Sequence, residues 1–424
     1  MQPPEHNLRR LLNDEVHARP PLRLGGAQRV VYLAVAHEAG ERVAHRQVLA
    51  TLLAHCGATV TADHPDHVIA VAGPLRVKWQ GHSEFTSYTF CAPPEEDETP
   101  AQFLGRAGWN AVAASVPGQV LVATCVELRP LAAEQPPPDA FRAEGETVVG
   151  GAIAEGHGWA YADFRIRADG FTHFLVLNHA MGLGQAGRMV QRLLDIETYR
   201  ILALAAFPVA RSAGPSLAAM EAELGDTVER IATAGPEMDA RLLDDLTRLA
   251  ARVEQLHAST RYRFDAAQAY DAIVAQRLHE LREVRIPGLS TIEEFMQRRM
   301  APAMATCRTM ARRVDDLAGR VSRASGLLRT RVDIVRERQN QALLASMNRR
   351  AKMQLHLQQT VEGLSVVVIT YYGASLVAIA ARALRAGGVH IEPEIAEGIA
   401  LPVVALIVFL AVHRVRKAFV GGEA

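Results

Sequence analysis

The chain has no net charge: 46 lysines and arginines are matched by 46 aspartates and glutamates over 424 residues. Nucleic-acid binding needs clustered, unbalanced lysine and arginine, so no nucleic acid is expected as a main partner. Cysteine is scarce. Cys56, Cys91, Cys125 and Cys307 stand without CxxC spacing, which implies neither a disulfide framework nor a zinc site and suits reduced thiols in a cytosolic compartment. The opening residues MQPPEHNLRRLLNDEVHARPP hold no apolar run, so no cleavable secretory signal is expected. HExxH, GxSxG and P-loop patterns are missing too, which removes the common hydrolytic and phosphotransfer constellations. No catalytic residue, metal site or cofactor is assigned, and the chain is read as not an enzyme.

Two uncharged apolar runs are present near the end, Gly363 to Ala381 (GLSVVVITYYGASLVAIAA) and Gly398 to Val412 (GIALPVVALIVFLAV). A helix needs about 20 such residues to cross a bilayer core. The first run has that length, and Ile395 with the stems of Arg414 and Arg416 extends the second. Arg349, Arg350 and Lys352 precede the first run, and Arg414, Arg416 and Lys417 follow the second. Between them Arg382 and Arg385 are accompanied by Glu392, Glu394 and Glu397. Basic residues favour the cytoplasmic side, so both termini are expected there. The expected location is a bacterial inner membrane, with the lipid bilayer as one partner.

Ahead of these runs the pattern changes once. Up to residue 187 it is mixed. Arg29 to Ala36 is β-rich, Glu41 to His55 and Ala101 to Ser115 look helical, and Val68 to Ala72, Leu75 to Trp79, Glu84 to Cys91 and Gln119 to Leu128 read as strands. A Gln80-Gly81 turn is expected between two of them. Trp159 to Arg167 and Phe171 to Asn178 flank Asp169-Gly170, a hairpin signal. After Gly187 the strand signals stop. Met189 to Ala206 reads as a helix ended by Pro208, and Pro215 as the start of another region reaching Arg285. From Thr291 a long polar helix continues into the first apolar run. Val314, Leu317, Val321, Ala324 and Leu328 step by three and four, as a coiled-coil seam does. So long and polar a helix needs partner helices, from this chain or from other copies in a homo-oligomer.

The expected fold class is therefore an α+β cytosolic domain, then long α-helices, then a C-terminal two-span transmembrane helical hairpin. The expected boundaries are residues 1–187 for the domain, 188–290 for a helical region, 291–362 for a stalk helix, 363–381 and 398–413 for the spans, 382–397 for a periplasmic loop and 414–424 for a tail. This order resembles the CorA-type magnesium channel superfamily, whose members place an α+β domain before long helices, end in two spans and assemble as pentamers. That family carries a Tyr-Gly-Met-Asn signature. Here Tyr372-Gly373 is followed by Ala374-Ser375, and no asparagine occurs from Met353 to the end, so the resemblance implies the build and not magnesium selectivity.

A second resemblance is carried by Asn13-Asp14-Glu15-Val16-His17-Ala18-Arg19-Pro20, by Asp163-Phe164-Arg165 with Asp169-Gly170-Phe171, by Gln191-Arg192-Leu193-Leu194 with Glu197-Thr198-Tyr199-Arg200, and by Val361-Glu362-Gly363-Leu364-Ser365 with Tyr371-Tyr372. On these pieces the chain resembles an uncharacterised bacterial family of membrane-anchored proteins, domain of unknown function three-four-two-two. The resemblance implies a cytosolic domain on a membrane hairpin and no particular activity.

Four local patterns carry chemistry. Gly182-Leu183-Gly184-Gln185-Ala186-Gly187 fits GxGxxG, which in a dinucleotide fold brings backbone N–H groups to a pyrophosphate; no second strand with a terminal acid follows, and a glycine-rich strand-to-helix turn is the simpler reading. Asp63, His64, Asp66 and His67 hold groups a divalent ion would accept, but Pro65 among them reads as a polar turn. Asn13, Glu15, His17 and Arg19 form a candidate ligand or subunit contact, with Arg19 able to fork a carboxylate or phosphate; a capped helix end is the plainer alternative. Glu362, Ser365 and Tyr372 fall near one face of the first span, with Ser375 slightly off it, where polar groups line a pore or pack helices, with Glu362 at the cytosolic mouth. The leading expectation is a transport-related or channel-like homo-oligomer. A non-conducting scaffold or sensor, and a membrane-tethered nucleotide-binding enzyme, are the alternatives.

Overall fold

The computed structural model describes residues 5–10, 12–13, 20–38, 40–132, 141, 148–388 and 392–420, of which 415–420 are described by backbone alone. The chain divides into two compact units, Met1–Thr233 with Ala240–Ser325, and Ala234–Asp239 with Gly326–Ala424.

The first unit is built on a nine-stranded sheet of β1 (Gln28–Ala36), β2 (Thr59–His64), β3 (His67–Ala72), β4 (Leu75–Gly81), β5 (Phe85–Ala92), β6 (Gln119–Pro130), β7 (Val149–Ile153), β8 (Gly158–Ala162) and β9 (Thr172–Asn178). Their order is β2-β3-β4-β5-β1-β6-β9-β8-β7. Neighbours are antiparallel except β6 and β9, which run parallel. β1 lies at the centre with both faces covered, which is why it reads as a continuous apolar run and not as an alternation. On one face Val31, Leu33 and Val35 meet Leu49, Leu52 and Leu53 of α1 (Arg42–Cys56) and Phe103 of α2 (Pro100–Arg106), around Trp79, Tyr88 and Phe90. Thr99 and Gln102 form a capping box and Pro100 takes the first helical position, so α2 starts where its sequence dictates.

The other face carries α3 (Leu183–Leu204), which buries Met189, Val190, Leu193 and Leu194. With α4 (Ala206–Thr233) it makes a helical stretch apolar enough, by length and composition, to cross a membrane. That apolarity has an occupant within the chain, because α3 spends its apolar side on the sheet.

Several local expectations change. Gln80 and Gly81 belong to β4, and the turn lies at His82 to Glu84. Asp169-Gly170 makes a turn with Gly170 at φ 84°, but β8 and β9 are joined by nine residues and not by a two-residue hairpin. Pro208 does not end a helix: the break is at Ala205, and Pro208 sits in the first turn of α4, where its missing N–H costs nothing. Pro215 lies inside α4. β2 and β7 carry too little apolar alternation to be read from sequence. β7 gains partners from a distant segment, exchanging hydrogen bonds between Ala152 and Val284 and donating from the Gly150 N–H to the Ser290 carbonyl at 2.9 Å.

The remaining helices are α5 (Asp239–Leu281), α6 (Ile292–Arg299) and α7 (Ala301–Ala386). The expected single helix from Thr291 is interrupted at Met300, because Pro302 cannot continue a helix and instead opens a new one. Thr291 and Glu294 cap α6 reciprocally. In the first unit the seam residues Val314, Leu317, Val321 and Ala324 are buried. Arg313 pairs with Glu221 of α4 at 2.6 Å and Arg308 with Asp271 of α5 at 2.9 Å.

In the second unit the turn Ala234–Asp239 grips α7: Arg331 Nη2 donates to the Ala234 carbonyl at 2.6 Å, and its Nε lies 3.3 Å from Asp239 Oδ2. From Arg336 to Val361 every residue is exposed. The last helix, α8 (Pro393–Val420), returns to the apolar end of α7. Ala374, Ala378, Ala381 and Ala400 are buried there, and a Cβ on Gly373 would come 2.6 Å from Val404 Cγ1. Small residues let the two backbones approach closely.

Candidate functional site

Beneath α3 a row of polar residues crosses the sheet, one from each of five strands. Lys78 of β4 faces Thr89 of β5, Thr89 faces Tyr32 of β1, Tyr32 faces Thr124 of β6, and Thr124 faces Thr172 of β9. All five are buried, Lys78 to 1% exposure. Buried polar groups survive only when bonded, and α3 supplies the partners from Gln191, Asp195, Glu197 and Thr198. Lys78 Nζ donates to Gln191 Oε1 at 3.0 Å, and Gln191 Nε2 donates to Asp195 Oδ1 at 2.8 Å. The Tyr32 and Thr198 hydroxyls are 3.0 Å apart. Thr172 Oγ1 lies 3.1 Å from both Thr124 Oγ1 and Glu197 Oε1. Both Glu197 oxygens accept from Arg200 at 2.6 Å.

The network continues outward to α5. Arg277 Nε donates to Asp195 Oδ2 at 2.8 Å, Arg277 Nη1 reaches Glu280 Oε2 at 3.0 Å, and Arg192 Nε reaches the same oxygen at 3.0 Å. Burial pushes the Asp195 carboxyl above the usual carboxylate range, against the pull of Gln191, Arg277 and Lys78. Burial also raises the Tyr32 phenol, so it stays neutral and accepts from the Thr198 hydroxyl. Positive and negative groups alternate from sheet to α3 to α5. Each is held by the next, so the arrangement fixes the position of α3 between two layers.

A second knot forms beside it. Phe164 has a left-handed backbone, φ 54°, a conformation that costs an aromatic residue roughly 1–3 kcal/mol. Its ring stacks on Phe295 of α6 at 5.2 Å, meets Phe174 edge-on at 5.4 Å and lies 5.3 Å from the Arg200 guanidinium. Asp163 pairs with Arg167 at 3.1 Å, and Asp169 accepts from the Phe171 N–H at 3.0 Å and lies 2.8 Å from His173 Nε2. The segments around Asp163, Asp169, Gln191 and Glu197, separate in the sequence, therefore meet in one place. Glu283, which sequence reasoning missed, accepts from the N–H groups of Ile292 at 2.9 Å and Glu293 at 3.3 Å at the start of α6. Burial raises its carboxyl pKa all the same. Gly151 leaves room for this side chain, since a Cβ there would lie 2.8 Å from it.

The other sequence-predicted positions fall elsewhere. Of the GxGxxG glycines Gly187 serves packing: a Cβ there would sit 1.7 Å from the Leu22 carbonyl oxygen, whereas Gly182 has open space around it, and Leu24 N–H bonds the Leu183 carbonyl at 3.0 Å. β9 is followed only by helices, so the strand–helix–strand unit of a dinucleotide site does not form among the described residues. Asp63 and Asp66 are held by Arg46 and Arg42 of α1, and the His64 and His67 rings stack at 5.1 Å. Among the described residues no cluster of three His, Cys, Asp or Glu could hold a metal. Asn13 is exposed, while Glu15, His17 and Arg19 lie outside the described residues. Two grooves, of about 260 Å³ along α5 and α7 and about 550 Å³ along α4 and α5, are bridged by His257–Asp315 at 3.1 Å and by Arg252–Glu223 respectively.

On α7, Ser365 and Tyr372 are exposed, and Glu362 and Ser375 are partly buried. At 3.6 residues per turn Ser365 and Tyr372 lie on the side of the helix away from Gly373, Ala374, Ala378 and Ala381, which face α8, while Glu362 and Ser375 lie towards its two edges. Leu401, Ile407 and Phe409 of α8 are half or more exposed, so both helices present apolar surface outward. The ends of α7 and α8 are long and apolar enough to cross a membrane by length and composition.

No curated protein matches the chain. A family model does match, over residues 4–419, and covers the sheet, the polar layer and both apolar helices alike: the chain belongs to the family of proteins of unknown function DUF3422.

Proposed function

We propose that this chain is an integral membrane protein of CorA-like build, transport-related and without catalytic chemistry of its own. The apolar end of α7 and residues 398–413 of α8 cross a bacterial inner membrane as a hairpin, with both termini on the cytoplasmic side, and copies associate as a homo-oligomer. One observation carries this reading. Tyr371 and Tyr372, at the middle of the Gly363 to Ala381 run, are 65% and 64% exposed, so α8 leaves most of each side chain uncovered. A hydroxyl left unbonded in hydrocarbon costs roughly 4–8 kcal/mol, so these two phenols need water or protein beside them. Ser365 and Tyr372, flanked on α7 by Glu362 and Ser375, would then line the axis of the assembly, with Glu362 at its cytosolic mouth.

The test is ion flux into liposomes containing the purified full chain. Cation flux should appear with the natural sequence and fall about tenfold with Glu362→Gln, since the carboxylate ring would lose its charge. An embedded chain that passes none of a panel of mono- and divalent ions would replace this reading with that of a non-conducting scaffold.

A further inference from the structure

β7 is an outer strand of the sheet, and residues 282–291, the strap between α5 and α6, lie along its open edge. Val284 donates to the Ala152 carbonyl at 2.7 Å, Ala152 donates back at 3.0 Å, and Gly150 donates to the Ser290 carbonyl at 2.9 Å. Ile286 and Leu289 of the strap pack on the apolar cluster of Trp159 and Leu177. The strap is tied to α6 as well. Thr291 and Glu294 cap each other, which leaves the N–H groups of Ile292 and Glu293 without a partner inside the helix. Glu283 accepts from both. Arg298 donates to Ser290 Oγ at 2.8 Å, and Arg285 lies 3.7 Å from Glu294. Strap and α6 are thereby joined into one piece, held to the sheet by three backbone bonds and two apolar contacts, the second being the stack of Phe295 on Phe164.

Strain gathers in this piece and where it rests. Arg282, at the exit from α5, is left-handed at φ 49°, as is Phe164 beneath Phe295. Such a backbone persists only where its surroundings over-determine it. Glu283 lies against Gly151 of β7 and beside Glu293 and Glu294, and burial holds its carboxyl above the usual range, so its charge is costly there. Lifting the piece off β7 relieves all three. β1 carries no such cost and is bonded on both sides along its length. We infer that the strap and α6 form a catch, which releases the edge of β7 as one piece while the centre of the sheet stays closed. α7 follows α6 directly from Ala301, so the catch sets how firmly the start of that helix is held to the sheet. This holds wherever the apolar end of α7 lies.

The test is hydrogen exchange on the full chain in detergent, with protection corrected for the intrinsic rate of each residue. The amides of Gly150, Ala152, Val284, Ile292 and Glu293 report the catch. In the natural chain they should share one protection to within about threefold and exchange at least about tenfold faster than the amides of β1. Glu283→Ala removes the acceptor of Ile292 and Glu293 and should speed all of them together by about tenfold. Ile286→Ala weakens the seat of the strap and leaves Glu283 in place, and it should likewise speed Ile292 and Glu293 along with the rest. β1 should keep its rate in both variants. Catch amides as protected as β1, a rise at Glu283→Ala confined to Ile292 and Glu293, a rise that includes β1, or no rise in either variant overturns the catch.

Discussion

At the level of single residues, burial decides what chemistry a side chain keeps. His45 is fully buried under β5. Its Nδ1 lies 2.9 Å from the Tyr88 hydroxyl, and the ring of His37 is 4.8 Å away. Burial and, after it, His37 bring its pKa down from 6.5 to about 4. The folded protein therefore refuses a proton that the unfolded chain accepts. Stability is complete above about pH 6.5, where neither state binds the proton, and it falls as pH drops from there towards 4. By linkage the loss by pH 5 is about 2 kcal/mol. Denaturant midpoints measured at pH 8 and pH 5 should show this loss in the natural chain, and His45→Gln should remove most of the difference. Equal pH slopes for the two proteins would mean that His45 is not held neutral. Lys78 belongs to the same scale. A lysine in the strand LRVKWQG looks like an outward residue, and only the positions of Gln191 and Asp195 reveal why it points inward.

At the level of elements, backbone approach and capping set the boundaries. Thr99 and Thr291 start helices through side-chain caps that are visible in the sequence. Helix-to-helix closeness is less visible. Gly373, in an apolar run, could serve flexibility, packing or nothing. Its contact with Val404 assigns it to packing between α7 and α8. Gly373→Ile would force the helices apart and should cost about 1–3 kcal/mol, read as earlier thermal unfolding in detergent. The same change at Gly363, which has open space around it, should leave the midpoint within about 0.5 kcal/mol. If both changes cost the same, the α7–α8 contact is not what holds Gly373. The coiled-coil spacing from Val314 to Leu328 was legible as a buried seam. In the first unit its Val314 to Ala324 part is buried, and Glu221 of α4 and Asp271 of α5 pair with arginines of the same helix, which periodicity cannot foretell.

At the level of the whole molecule, the two units differ in how much of their apolar surface they cover. The first closes around its sheet and keeps its apolar helix α3 inside. The second leaves Leu343, Leu344, Met347 and the outward residues of α7 and α8 uncovered. A chain ending at Val335 should accordingly remain in the supernatant and run as a monomer, with its sheet intact by circular dichroism. The full chain should sediment with membranes after an alkaline wash. A truncated chain that still sediments would move the membrane contact into the first unit. The apolar stretch Leu183 to Thr233 would be the first place to look, since it too is long and apolar enough.

The sequence by itself determined the order of elements, the two apolar runs, most strands around β1 and the balance of charge, because these depend on local periodicity and composition. It also carried the family pieces, although not what joins them. Only the tertiary structure decided that Lys78, Tyr32, Thr124 and Thr172 form one buried row under Gln191, Asp195, Glu197 and Thr198, that Phe164 is the meeting point of α6 and β9, and that Gly187 makes room for the Leu22 backbone. The physical reason is common to all three. A buried polar or strained residue is tolerated only by partners far away in the chain, and one-dimensional spacing carries no record of which distant groups those are.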